Sequence, residues 1–235
     1  MDRGRLAGAA AVVLALLAAA CANVDPIDGD AADPAPRPAN GEFADEATIL
    51  AIVDDLNRFW SVADEELGFD YTPVSPTRVT TGADGITCDR QPIEPDEVEG
   101  NAFVDSGCAE GLLVAYDPDY VGVSLARAEA VMAHEWGHVI QAQAEQLDLS
   151  LDPDGLPIDA ELQADCLAGA WAAERADADI ARLRQDTGGA GDSDDVPFDD
   201  PHAHGTPEER MAAFDVGVDG GPSACVDQLL DALPG

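Results

Sequence analysis

AHEWGHVIQ occupies residues 133 to 141. His134 and His138 stand four residues apart with Glu135 between them, in an Ala-rich run without proline. From Ser124 to Leu147 the apolar residues Leu125, Ala128, Met132, Trp136 and Val139 fall on one side of a helix turning about 100° per residue. His134, His138, Gln141 and Glu145 fall on the opposite side, so the histidines do not belong to the apolar stripe. Residues i and i+4 project from one face a turn apart, and both imidazoles can therefore reach one metal ion. Glu135, about 100° round, can reach a metal-bound water without becoming a ligand, which is the logic of the H-E-x-x-H zinc motif. The plain alternative is two ordinary histidines at helical spacing.

A third ligand is offered by ELQADCLAGAWA, residues 161 to 172. Glu161 and Asp165 are again four apart, so two carboxylates share a face. In so acidic a chain a solvated face is the ordinary reading. Here the neighbours are Leu162, Ala164, Cys166, Leu167, Ala168, Gly169, Ala170 and Trp171, and a helix so apolar is buried. Buried carboxylates must be paired, hydrogen-bonded or metal-bound. Glu161 as third ligand and Asp165 as the group orienting a ligand histidine's second nitrogen meet that demand. Cys166 lies five positions after Glu161, about 140° round, and does not point at the same ion. The small residues Ala168, Gly169 and Ala172 allow another helix to come close.

HEWGHVIQ, ELQADCLAGAWA and then HGTPEER, residues 204 to 210, together resemble a bacterial family of neutral zinc metallopeptidases, related in its site to the gluzincins. The resemblance runs from about Phe59-Trp60 to the C-terminus. It implies a zincin-like α+β domain in which His134, His138 and Glu161 hold Zn2+, Glu135 is the base and Asp165 follows the third ligand by four. It also implies a peptide or protein substrate, with His204 of the H-G-T motif as a donor toward the developing oxyanion. His204 hydrogen-bonding within its own loop is the alternative, and Arg210 either pairs with an acid near the site or lies on the helix surface. A non-catalytic lipoprotein using zinc as a scaffold is the rival class. It leaves Glu135 without a purpose, and structural zinc sites favour four protein ligands. Zinc hydrolysis of cell-wall amides is a minor alternative.

The chain ends differ from this middle. Arg3 and Arg5 precede an apolar run from Leu6 to Ala20 that is short for a span of ~20 residues, so residues 1–20 read as a signal peptide. The run closes on Leu17-Ala-Ala-Ala-Cys21, which resembles a lipobox with Ala where Leu is commoner. Cys21 is then expected to carry lipid, palmitate included, and to anchor the protein outside the cytoplasm on a bacterial membrane; a simple cleaved signal with a chance Cys is the alternative. Residues 21–43, rich in Pro, Asp and Ala, read as a disordered tether, leaving 44–235 as one metallopeptidase domain. Cys88, Cys108, Cys166 and Cys225 are even in number, which favours two disulfides in an exported chain. Of three possible pairings, Cys88–Cys108 closes a local loop and Cys166–Cys225 ties the C-terminal helix to the core. The net charge is −37 and all eleven basic residues are Arg, a surface that repels nucleic acid. The acidic stretches 152–159 and 192–200 lack the spacing of a calcium loop.

Periodicity predicts an amphipathic helix over Ala44–Gly68, a short strand near Arg78–Thr80, and strands at Ala102–Asp105 and Leu112–Tyr116, the second of them central. A turn-rich link over 148–159 precedes a helix over Ala160–Arg184, and an acidic loop spans 185–200. Thr206, Pro207 and Glu209 form a capping box that opens another helix, with a last short one at Ser223–Leu233. The expected class is α+β, mostly helical with a small sheet.

Overall fold

A computed structural model describes residues 43–67, 70–74, 79–81, 86–109, 111–146, 157–193, 196–197 and 203–227. The expected signal segment, Cys21, the tether up to residue 42, His202 and the end of the last helix lie outside the described residues. Seven helices and five short strands are present among them: α1 (Glu46–Leu67), β1 (Val79–Thr81), β2 (Thr87–Cys88), β3 (Gln91–Pro92), α2 (Pro95–Val98), β4 (Ala102–Asp105), β5 (Leu113–Tyr116), α3 (Pro118–Val121), α4 (Leu125–Gln146), α5 (Pro157–Ala173), α6 (Ile180–Gly188) and α7 (Pro207–Asp227). The class is α+β, and no described helix is long and apolar enough to cross a membrane.

The main core is helical. α1 buries Ile49, Ile52, Val53, Leu56 and Trp60, the i, i+3, i+4 stripe that its sequence sets out. α4 buries Leu125, Ala128, Met132, Trp136 and Val139 as its periodicity demands. α5 is buried continuously from Leu162 to Ala172 and lies between α4 and α7. Side chains are nearly dispensed with at these crossings. A Cβ on Gly137 would stand 2.5 Å from Ala164 Cα, and one on Gly217 would collide with the Cys166 carbonyl oxygen, so α5 meets both neighbours main chain to main chain. The Cys166–Cys225 disulfide holds the far end of that contact.

β5 is the centre of a three-stranded sheet, parallel to β1 and antiparallel to β4, with Val79 opposite Val114 and Phe103 opposite Ala115. Its four residues are all buried, and alternate ones face opposite ways. Val114 and Tyr116 join the helical core, while Leu113 and Ala115 join a second, small cluster with Ile86, Ile93, Val98 and Cys108. That cluster sits under a β2–β3 hairpin turning through Asp89 and Arg90, both at positive φ (54° and 62°), the conformation of a tight two-residue hairpin loop. The Cys88–Cys108 disulfide closes it, and both pairings are those expected from the sequence.

Three boundaries differ from the sequence reading. The helix expected over Ala160–Arg184 starts at Pro157 and stops at Ala173, and α6 begins at Ile180. Arg175 is drawn away to Glu129 Oε1 (2.6 Å) and over the Trp171 ring (4.4 Å), and Asp179 starts a new helix by accepting from the Arg182 amide (3.1 Å). The acidic loop therefore begins after Gly188, with Gln185 to Gly188 helical. The last expected helix starts at Pro222 in place of Ser223: the non-helical Gly221 (φ 71°) separates it from the helix before, so α7 comprises the two helices expected, and Pro222 takes the first position of the second.

Candidate metal centre

α4 and α5 cross where their polar faces meet. His134 Nε2 is 3.2 Å from His138 Nε2, and Glu161 approaches both, Oε2 at 3.1 Å from the first and Oε1 at 3.4 Å from the second. The three ligand candidates named from the sequence thus converge on one point.

The neighbours decide which nitrogen of each ring carries hydrogen. His134 Nδ1 lies 2.8 Å from Asp165 Oδ1. An ionised carboxylate only accepts, so Nδ1 carries hydrogen, and in the neutral ring Nε2 presents a lone pair to the convergence. Arg210 holds that carboxylate with Nε on Oδ2 (2.7 Å) and Nη2 on Oδ1 (2.8 Å). His138 Nδ1 lies 2.8 Å from Gln141 Oε1. The other end of that amide, Nε2, donates to the Ala160 carbonyl (2.7 Å) and to Gln163 Oε1 (3.0 Å), which fixes its oxygen toward the ring. His138 Nε2 is therefore a lone pair as well. Two imidazole nitrogens and a carboxylate converge on one point, a donor set that fits a cation.

The same convergence moves the titration of each group in it. Burial works against a charged His134, yet Asp165 beside it carries the imidazole up to about 10. His138 is also raised: burial opposes its charge, and Glu161 overcomes it. Burial pushes Glu161 upward too, but the two imidazoles hold it well below the usual carboxylate range. Asp165 is fully buried and is nonetheless held low, chiefly by Arg210 and then His134.

The donor set suits zinc. Ligand atoms at about 2.0–2.2 Å from a tetrahedral zinc are about 3.3–3.6 Å from one another. Here the two nitrogens stand 3.2 Å apart and each faces a different Glu161 oxygen, at 3.1 and 3.4 Å, at or slightly inside that separation. Glu161 Oε2 is also buried without a hydrogen-bond partner, as an oxygen awaiting a metal would be. Cys88, Asp105 and Cys108 form another close trio, but its sulfurs are bonded to each other and offer no thiolate.

Glu135 stands beside this point and is not part of it. Its side chain is 5% exposed, and Oε2 has no hydrogen-bond partner. Burial raises its carboxyl above the ordinary value, against the pull of His134 and His138. A cleft of about 370 Å³ opens onto His134, Glu135, His138 and Glu161, walled by Asn101, Ala102, Phe103 and Val104 of the β4 strand and its approach. His204 is on its rim, exposed, with its amide donating to Asp192 Oδ2 (2.5 Å) and Nδ1 3.7 Å from Asp192 Oδ1.

Arg210, left open by the sequence, pairs with Asp165. The H-G-T-P-E-E-R segment delivers it: Thr206 and Glu209 form the capping box, Thr206 N donating to Glu209 Oε2 (2.8 Å) and Glu209 N to Thr206 Oγ1 (3.3 Å), with Arg210 next on the helix. Sequence reasoning missed Gln141, Gln163 and the wall made by β4. Gln163 left a trace, as a lone amide in an otherwise apolar run. No family model, curated protein or solved structure matches the chain.

Proposed function

We propose that the chain is a zinc-dependent peptidase of zincin-like design, working outside the cytoplasm and tethered through a lipidated Cys21. The observation that carries this reading is the pair of imidazole lone pairs converging with Glu161, beside a buried carboxylate, Glu135, that takes no part in the convergence. His134, His138 and Glu161 would hold the metal; three protein ligands of nitrogen and oxygen, not four, is the pattern of a catalytic site. Zinc, when bound, supplies a Lewis acid that makes water a nucleophile near neutral pH.

The remaining work belongs to the chain. Glu135 takes a proton from the attacking water at its buried carboxylate, which burial has made more basic, and returns it to the departing amine. Asp165 and Arg210 keep the His134 ring in one tautomer. β4 is an outer strand of its sheet and runs along the cleft, so an extended peptide can lie beside its main chain. That favours peptides over other amides as substrate. His204 on the rim is the candidate donor toward the carbonyl oxygen.

Digestion of a proteome-derived peptide library by metal-loaded and chelator-treated protein tests the reading. Glu135→Gln is expected to keep about one zinc per chain and to lose ~10²–10⁴-fold in hydrolysis. Glu161→Ala is expected to lose zinc. Cleavage by Glu135→Gln at the parent rate would remove Glu135 from its role. Zinc retention by the parent and by Glu135→Gln, with no cleavage by either, would favour the non-catalytic scaffold.

A further inference from the structure

α5 carries three polar side chains where it enters the core, the half-buried Glu161 and the buried Gln163 and Asp165, and the reading above uses only two. Gln163 is 5% exposed, so its amide must be satisfied from within. Its Oε1 accepts from Gln141 Nε2 at 3.0 Å, and its Nε2 donates to the Cys225 carbonyl at 3.2 Å. Gln141 in turn presents Oε1 to His138 Nδ1 at 2.8 Å. An unbroken chain of hydrogen bonds thus runs from His138 through two amides to the main chain of α7, where the Cys166–Cys225 disulfide anchors its end.

We propose that Gln141 and Gln163 are positioning residues for His138, forming a neutral arm of the metal centre opposite the charged Asp165–Arg210 arm. The inference rests on the zinc reading. A glutamine alone is an ambiguous orienter, because rotating its amide by half a turn would offer N–H to the ring and demand the other tautomer. The Ala160 carbonyl and Gln163 Oε1 both require a donor from Gln141 Nε2, and that removes the choice. Gln163 is itself set by the Cys225 carbonyl, which can only accept. The tautomer of His138, with its lone pair on Nε2, is therefore written into the packing of α4, α5 and α7. His134 needs no such chain, since a carboxylate has no wrong end.

Zn2+ competition against a chromophoric chelator, with the full chain, tests this. Gln141→Met, of similar length and without an acceptor, is expected to weaken Zn2+ by ~10–100-fold. Gln163→Met is expected to weaken it less, because Gln141 keeps the Ala160 carbonyl. Both should shift the visible absorption of the Co2+-loaded protein, which reports ligand geometry and not fold stability. Gln143→Met is the control: its amide pairs with Thr72 N and O (2.8 and 2.7 Å), so stability should fall with Zn2+ affinity unchanged. Parent-like Zn2+ affinity and an unshifted Co2+ spectrum in Gln141→Met and Gln163→Met would overturn the proposal while leaving the zinc reading intact. Should Gln141→Met not fold, Gln163→Met decides by the same two readouts. A parent that binds neither Zn2+ nor Co2+ would sink both.

Discussion

The helical core and the small core under the hairpin bury polar and apolar groups by different means. Around α4, α5 and α7 the protein encloses Trp60, Trp136, Trp171, Tyr116 and Phe214 completely, and within that mass it tolerates a buried Asp165–Arg210 ion pair. Among the described residues, the cluster of Ile86, Ile93, Val98, Cys108, Leu113 and Ala115 has no large aromatic among its buried members and no buried charge, and a disulfide closes it. A large core can bear the desolvation of a charge whose partner is well placed, whereas a small one lacks the apolar area to hold itself closed. The molecule puts its buried charges in the first, while Phe103, packed on the second, walls the cleft.

Substitution at Asp165 should break the contrast most sharply. Asp165→Ala leaves Arg210 buried and uncompensated, a loss of ~3–5 kcal/mol, against which the apolar mass of the helical core can do nothing. Urea denaturation measures it, and a loss under ~1 kcal/mol would mean that water already reaches the guanidinium. Removing each disulfide as a double Cys→Ser variant comes next. The cross-links span 59 and 20 residues, and chain entropy then predicts losses of ~4 and ~3 kcal/mol. The distribution of the damage matters more than its size. Without Cys88–Cys108, hydrogen exchange should quicken across residues 86–109 while α4 and α5 keep their protection. Equal quickening in the helices would show that the two cores are one cooperative unit.

A smaller effect sharpens the link between the capping box and the site. Thr206→Ala removes the hydroxyl that accepts from the Glu209 amide and should cost ~1 kcal/mol. Because Arg210 follows in the same turn, thermal denaturation of Thr206→Ala and of Thr206→Ala/Asp165→Ala should give non-additive losses; strict additivity would separate the cap from the ion pair.

Much of the helical core was legible because its signals are local. The stripe of Leu125, Ala128, Met132, Trp136 and Val139 lies within a few turns, and so do His134 and His138 on the other side. The carboxylates of α5 stood out because an apolar helix gives them no solvent. What escaped depends on partners far along the chain. Arg175 ends α5 by pairing with Glu129, 46 residues earlier, and Arg210 finds Asp165 across 45. The β2–β3 hairpin was hidden for another reason: its turn uses Asp89 and Arg90, without the glycine that usually marks positive φ. Gln163 was visible only as an anomaly, since its meaning requires Gln141 and the Cys225 carbonyl in place.

The contact of Gly137 with the Cα, Cβ and carbonyl of Ala164 sets the separation of α4 and α5, the helices that carry the proposed ligands. Helix spacing and ligand identity are therefore independent variables in this scaffold. If the centre holds a metal as proposed, exchanging Glu161 for histidine or aspartate would alter its donor set while the axes of α4 and α5 stay where glycine and alanine hold them. A side chain at position 137, by contrast, would push the two helices apart.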